Sequence, residues 1–157
     1  MAGVKLISQT QMHLTLHFIG DAPLPAVTAA LQLIRARAFS IRFAALGRFP
    51  VKDGGVILWV GIEHNEALAE LRNAIVTALS SYGLVVANGQ NPLAFQPHVT
   101  LAKCKRQVPA GSLDSLADRR AVLHLPDVAI SQFSLYSSAT DMVGAQYRIE
   151  HQFPLYG

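Results

Sequence analysis

Apolar and polar residues alternate along residues 12–19, with Leu14, Leu16 and Phe18 set against His13, Thr15 and His17. That is the period of a half-buried strand. Gly20, Asp21, Ala22 and Pro23 stop it. Residues 25–37 carry Val27, Leu31 and Ile34 at helical spacing, which predicts an amphipathic helix. Residues 39–48 read as a strand, Gly54 and Gly55 as a turn, and 56–63 as the second strand of a hairpin. Leu68, Leu71, Ile75 and Leu79 predict a helix over 65–82, stopped by Gly83.

Beyond it, 88–92 reads as a loop and 97–105 as a strand, and 112–119 as a short helix capped by Ser112. Strands at 122–125, 128–137 and 147–153 complete the pattern, the last two joined in a hairpin around 140–144. Strands and helices mix without strict βαβ alternation. The expected fold class is therefore α+β with mainly antiparallel sheet.

A chain of 157 residues fits one domain, or two small lobes folded as one unit. With 51% apolar and 15% charged residues it can bury a sizeable core, which excludes a disordered chain. No apolar run approaches the roughly 20 residues of a membrane span, and no secretory signal is visible. The one cysteine, Cys104, allows no internal disulfide and suits a reducing cytoplasm. A net charge of +3 mildly favours a polyanionic partner, with a solubilising surface charge as the plain alternative.

One short pattern occurs twice. His13-Leu14-Thr15-Leu16 recurs as His98-Val99-Thr100-Leu101, 85 residues later (98 − 13). On a strand, each copy sets an imidazole and a hydroxyl side by side, with the intervening apolar residues on the other face. A single His-x-Thr is ordinarily the wet face of a half-buried sheet. Two copies, in a chain with six His and six Thr, arise by chance on the order of once in a few thousand sequences. The repetition suggests two similar lobes turning their motifs toward one cleft. Two imidazoles, each titrating near about 6.5, can divide the roles of base and acid. Two hydroxyls can hold the oxygens of a phosphate. The set suits opening of a strained cyclic phosphate, and it includes no metal and no cofactor.

Paired His-x-Thr tetrapeptides resemble the 2H phosphoesterase superfamily. The surrounding stretches at 12–20, 47–50, 57–61, 95–103, 133–138 and 153–155 resemble its bacterial and archaeal RNA 2′,3′-cyclic phosphodiesterases, also called 2′-5′ RNA ligases. The resemblance covers nearly the whole chain. It implies a single two-lobed α+β domain over 1–157, with helices outside and both tetrapeptides in a central cleft. It implies hydrolysis of RNA or nucleotide 2′,3′-cyclic phosphate ends to 2′-phosphomonoesters, with reversible 2′-5′ joining of tRNA halves. In this chain His98 resembles the base, His13 the acid, and Thr15 and Thr100 the phosphate holders. The alternative is a nucleotide- or RNA-binding module on the same fold that catalyses nothing.

Three departures from the family pattern matter, the last two of them for the substrate. The opening strand and helix of the family have no counterpart before Val4, so one lobe is expected to lack a strand. An upstream start codon would account for this. So would a strand lent by a second chain, making a dimer of an otherwise monomeric protein. Leu93 stands where an arginine is frequent, and another frequent arginine is replaced around Val56.

Further candidates for substrate contact are His17, Arg48, Phe49, Lys103 and Tyr136. On a regular strand Cys104 shares the parity of His98 and Lys103 does not, so Lys103 reaches phosphate only through a twist or bulge. His13 and His17 lie about 13 Å apart along a strand, too far to share a metal ion.

Overall fold

The computed structural model describes residues 3–84, 95–105, 125–141 and 144–157, without the side chains of 140–145. The expected short helix at 112–119, the loop at 88–92, Leu93, and most of the strand at 122–125 lie outside them. The chain is α+β and its sheet is mainly antiparallel. It divides into two compact units. The first comprises residues 1–15, 42–64 and 95–127, the second 16–41, 65–94 and 128–157.

The first unit is built on a four-stranded antiparallel sheet. Strands β1 (Val4–Leu6), β3 (Phe43–Pro50), β4 (Val56–Ile62) and β5 (His98–Cys104) lie in the order β1-β5-β4-β3. The β3–β4 hairpin forms as the sequence predicts. Gly54 sits at φ 78°, open to glycine at no steric cost, and the Gly55 amide donates to the Asp53 carboxylate at 3.0 Å. One face of this sheet buries Ala102 and Cys104, packed against Val4, Val56 and Leu58.

One irregularity decides what the other face carries. Thr100 pairs with Trp59, yet Ala102 pairs with Leu58, so β5 holds one extra residue at Leu101. This β-bulge reverses the parity of everything beyond it. Cys104 therefore turns into the core, 5% exposed, and Lys103 turns to the face of His98 and Thr100.

The second unit packs helices α1 (Leu24–Leu31) and α2 (Glu66–Ser81) against Phe133, Leu135 and Phe153 of the hairpin β7 (Gln132–Asp141) and β8 (Gly144–Pro154), and against Leu155 just beyond it. Phe133 and Phe153 pair across that hairpin and stack at 4.8 Å. Helix α2 starts on Asn65, whose side chain accepts from the Leu68 amide at 3.0 Å, a cap typically worth about 1 kcal/mol. It ends where Gly83 takes φ 67° and the Leu84 amide closes back on the Leu79 carbonyl, satisfying helix-end acceptors. Leu71 and Leu79 are its most deeply buried side chains.

Four expectations need correction. The predicted strand at 12–19 makes only an isolated bridge, Leu14 to Val99, because a short 3-10 turn at Gln9–Gln11 interrupts the chain's pairing with β5. The helix predicted at 25–37 ends at Leu31. Ala36 and Ala38 instead spend backbone hydrogen bonds on Tyr156, at 2.9 and 2.6 Å. The strand predicted at 39–48 breaks at Arg42 into β2 (Phe39–Ile41) and β3, in different sheets. The strand predicted at 128–137 breaks likewise at Ser131, and its first part, β6 (Val128–Ile130), pairs with β2. At the first break Arg42 donates to both Asp127 carboxylate oxygens, 3.1 and 3.2 Å. That hydrogen bond lowers the Asp127 pKa, though so exposed a pair is screened by salt.

Candidate active site

Both His-x-Thr motifs fall in the first unit, rather than one in each. They reach one another along the same strand edge. After pairing Lys5 with Lys103 and Leu6 with Ala102, the chain leaves β5, turns, and returns to pair Leu14 with Val99 in antiparallel sense. That register sets His13 opposite Thr100 and Thr15 opposite His98. Opposed residues of an antiparallel pair share a face, so all four polar side chains project from one side while Leu14 and Val99 point to the other. Diagonal neighbours in such a pair have backbones about 7–8 Å apart.

The histidines are oriented alike. His13 Nδ1 lies 2.7 Å from the Gln11 carbonyl, and His98 Nδ1 lies 2.8 Å from the Gln96 carbonyl. A carbonyl only accepts, so each Nδ1 donates, which leaves Nε2 as the nitrogen outside that bond. Gln11 and Gln96 thus act through their backbones, each two residues before its histidine. Sequence reasoning missed them because backbone acceptors leave no mark in residue type.

Aromatic rings wall the His98 side. Phe49 meets the imidazole edge-on at 5.1 Å and Trp59 lies tilted at 5.6 Å, with Phe49 and Trp59 themselves 4.9 Å apart. These rings lower the polarity around His98 and limit water on that flank. Trp59 is 8% exposed, and its Nε1 is buried without a hydrogen-bond partner among the described residues.

The remaining candidates separate by register. Phe49 pairs with Ile57, and Lys103 pairs with Ile57 from the other side, which places both on the face of His98 and Thr100. Arg48 pairs with Leu58, which assigns it by register to the opposite face. Tyr136 belongs to the second unit, where it is exposed and meets Tyr147 edge-on at 6.5 Å. Among the described residues no cluster of three or more His, Cys, Asp or Glu could hold a metal ion.

His17 also belongs to the second unit, half-buried, with Nε2 lacking a hydrogen-bond partner among the described residues. Burial first, then the Arg72 guanidinium, push its pKa below the ordinary imidazole value. A folded-state pKa lowered beneath the unfolded one means that protonation opposes folding. The contribution of the neutral ring is complete above about pH 6.5 and is lost as pH falls below it. His17→Gln is expected to flatten the dependence of Tm on pH between about 7 and 5. An unaltered slope in that variant would remove His17 as the cause.

The sequence profile of the 2′-5′ RNA ligase superfamily matches residues 2–141. The RNA 2′,3′-cyclic phosphodiesterase of Aeropyrum pernix is 30% identical over 151 residues, covering 92% of this chain and 82% of that protein. Among solved structures, TT0787 of Thermus thermophilus superposes with a TM-score of 0.74 at 25% identity, covering 99% of this chain and 84% of its own. E. coli LigT complexed with 3′-AMP superposes with a TM-score of 0.67 at 18% identity, over 98% of this chain and 80% of its own, and shares the fold.

Proposed function

Because this chain belongs to the 2′-5′ RNA ligase superfamily, we propose that it hydrolyses the 2′,3′-cyclic phosphate ends of RNA or nucleotides to 2′-phosphomonoesters by two-histidine acid–base catalysis. Water attacks the phosphorus, and His98 Nε2 takes its proton. The bond from phosphorus to the 3′-oxygen breaks, and His13 Nε2 delivers a proton to that oxygen. The product is a 2′-phosphate beside a free 3′-hydroxyl, with one water consumed. Thr15 and Thr100 donate hydrogen bonds to the non-bridging oxygens as phosphorus becomes five-coordinate, when those oxygens carry most charge. With the 5′-hydroxyl of a second RNA in place of water, the same forward step forms a 2′-5′ linkage; its reversal, in which the two histidines exchange roles, cleaves that linkage and re-forms the cyclic phosphate.

The observation that carries the reading is the Leu14–Val99 bridge, which sets two histidines of matching tautomer and two threonines on one face. Phe49 and Lys103 share that face by register, which supports a role for them in meeting the nucleoside and a phosphate. His17 and Tyr136 are substrate contacts only if the second unit also meets the RNA. RNA with a cyclic phosphate end, tRNA halves among them, and small nucleotides are the expected partners. A reducing cytoplasm, where Cys104 stays a thiol, is the expected location.

The test is incubation with a 2′,3′-cyclic-phosphate oligonucleotide in excess EDTA, with the product resolved as 2′- or 3′-phosphate. Turnover to the 2′-phosphate is expected, with kcat/KM bell-shaped in pH. A 3′-phosphate product, dependence on metal, or tight binding with no turnover would each overturn the proposal.

A further inference from the structure

The paired motifs are related by symmetry as well as by sequence. An antiparallel pair has a local two-fold axis perpendicular to the sheet, and the Leu14–Val99 bridge sets that axis between those two residues. It carries His13 onto His98 and Thr15 onto Thr100. The Nδ1 bonds obey it too, since each ring donates to the carbonyl two residues before it, at Gln11 and at Gln96. A five-membered cyclic phosphate has a matching pseudo-symmetry, which exchanges O2′ with O3′. Two imidazoles and two hydroxyls by themselves therefore do not choose between the two ring bonds. Breaking P–O3′ with one water gives a 2′-phosphate and a 3′-hydroxyl. Breaking P–O2′ gives a 3′-phosphate and a 2′-hydroxyl. The choice needs a group that the axis does not repeat.

The sheet supplies one. Strand β5 backs onto β4 and β3, while residues 12–15 pair with no second strand along their other edge among the described residues. Trp59, opposite Thr100, and Phe49, in register with Ile57 and Lys103, stand on the histidine face at the His98 flank. Phe49 meets the His98 ring edge-on at 5.1 Å. Trp59, 8% exposed, is too enclosed to take a ligand, whereas Phe49 is half-buried and keeps part of its ring open. A nucleobase hangs from C1′, the ribose carbon next to C2′. A base resting on Phe49 therefore draws O2′ toward His98 and leaves O3′ toward His13, in line with a water held at His98.

We propose that Phe49 sets the regiochemistry of ring opening: by holding the nucleobase on the His98 flank, it makes P–O3′ the bond that breaks and a 2′-phosphate the product. The inference rests on the cyclic phosphodiesterase reading of the same site and assigns its product specificity to a residue that transfers no proton. Any planar base meets the requirement, since stacking on an aromatic ring tolerates every base.

The test separates 2′- from 3′-phosphates after turnover of two substrates, a nucleoside 2′,3′-cyclic phosphate and methyl ribofuranoside 2,3-cyclic phosphate, which has no base. The wild type is expected to give the 2′-phosphate from the first and a mixture from the second. With the nucleoside, Phe49→Ala should lower the ratio of 2′- to 3′-product at least about fivefold, the scale of one lost base–aromatic contact, and Phe49→Tyr should retain it. Phe49→Leu, which keeps apolar volume against Trp59, should shift the ratio the same way and serves where the alanine variant does not fold. A 2′-phosphate alone from the substrate without a base, or an unchanged ratio in Phe49→Leu, would overturn the assignment. A 3′-phosphate from the nucleoside substrate with the wild type, or no turnover of it, would instead overturn the cyclic phosphodiesterase reading itself.

Discussion

His98→Ala is expected to lower turnover of 2′,3′-cyclic phosphate ends at least about a hundredfold, and His13→Ala to do the same. Each removes a ring proposed to transfer a proton, oriented by an Nδ1 bond to a backbone carbonyl, from His13 to Gln11 and from His98 to Gln96. In the proposed mechanism one ring takes a proton while the other gives one, so the two would act as a unit. The double variant should therefore be little slower than either single one. The pH profile separates the roles. With His98 as base, His98→Ala should erase the acidic limb of kcat/KM, and with His13 as acid, His13→Ala should erase the alkaline limb. Single-turnover rates measured across pH with a cyclic-phosphate oligonucleotide provide the check. Undiminished activity in either variant would end the two-histidine mechanism. Reversed limbs would exchange the roles and leave the pair intact.

What could be read from residues alone divides along a physical line. Helix α2 was legible because Leu68, Leu71, Ile75 and Leu79 mark a stripe that only a helix can bury, with Asn65 and Gly83 as its ends. The β3–β4 hairpin was legible because Gly54 and Gly55 separate two apolar runs. The paired motifs stood out because His, Thr and Leu recur in one order. Partner choice was not legible. Residues 39–48 and 128–137 each look like one strand, since period-two alternation does not say which sheet a strand joins. Arg42 and Ser131, where the chain changes sheet, carry no special signature. Nor does Leu101, an ordinary apolar residue whose extra position reverses Lys103 and Cys104. For the same reason Arg48 and Phe49, adjacent in sequence, could not be told apart until the register with Leu58 and Ile57 placed them on opposite faces.

A second large effect is expected at Gly47, a position with no chemistry of its own. Gly47 pairs with Trp59 across the β3–β4 hairpin, and the indole lies over its backbone, so an added Cβ would overlap the six-membered ring. Gly61 flanks the same ring, with an added Cβ meeting it at 3.3 Å. The ring has nowhere easy to go, because Trp59 is buried between Phe49 and His98. Gly47→Ala should therefore cost about 1–3 kcal/mol of stability, the usual penalty for overpacking a filled site. It should also lower turnover, since the displaced indole presses on the imidazole. Gly61→Ala, with a contact that a few tenths of an ångström relieve, should cost less. The chain has a single tryptophan, so its fluorescence reports the displacement directly. Urea unfolding of Gly47→Ala, Trp59→Leu and the double variant completes the cycle. Removing the ring also removes the clash, so the double variant should be more stable than the sum of the two single losses predicts. Strictly additive losses would mean that Gly47 and Trp59 do not compete for the same space.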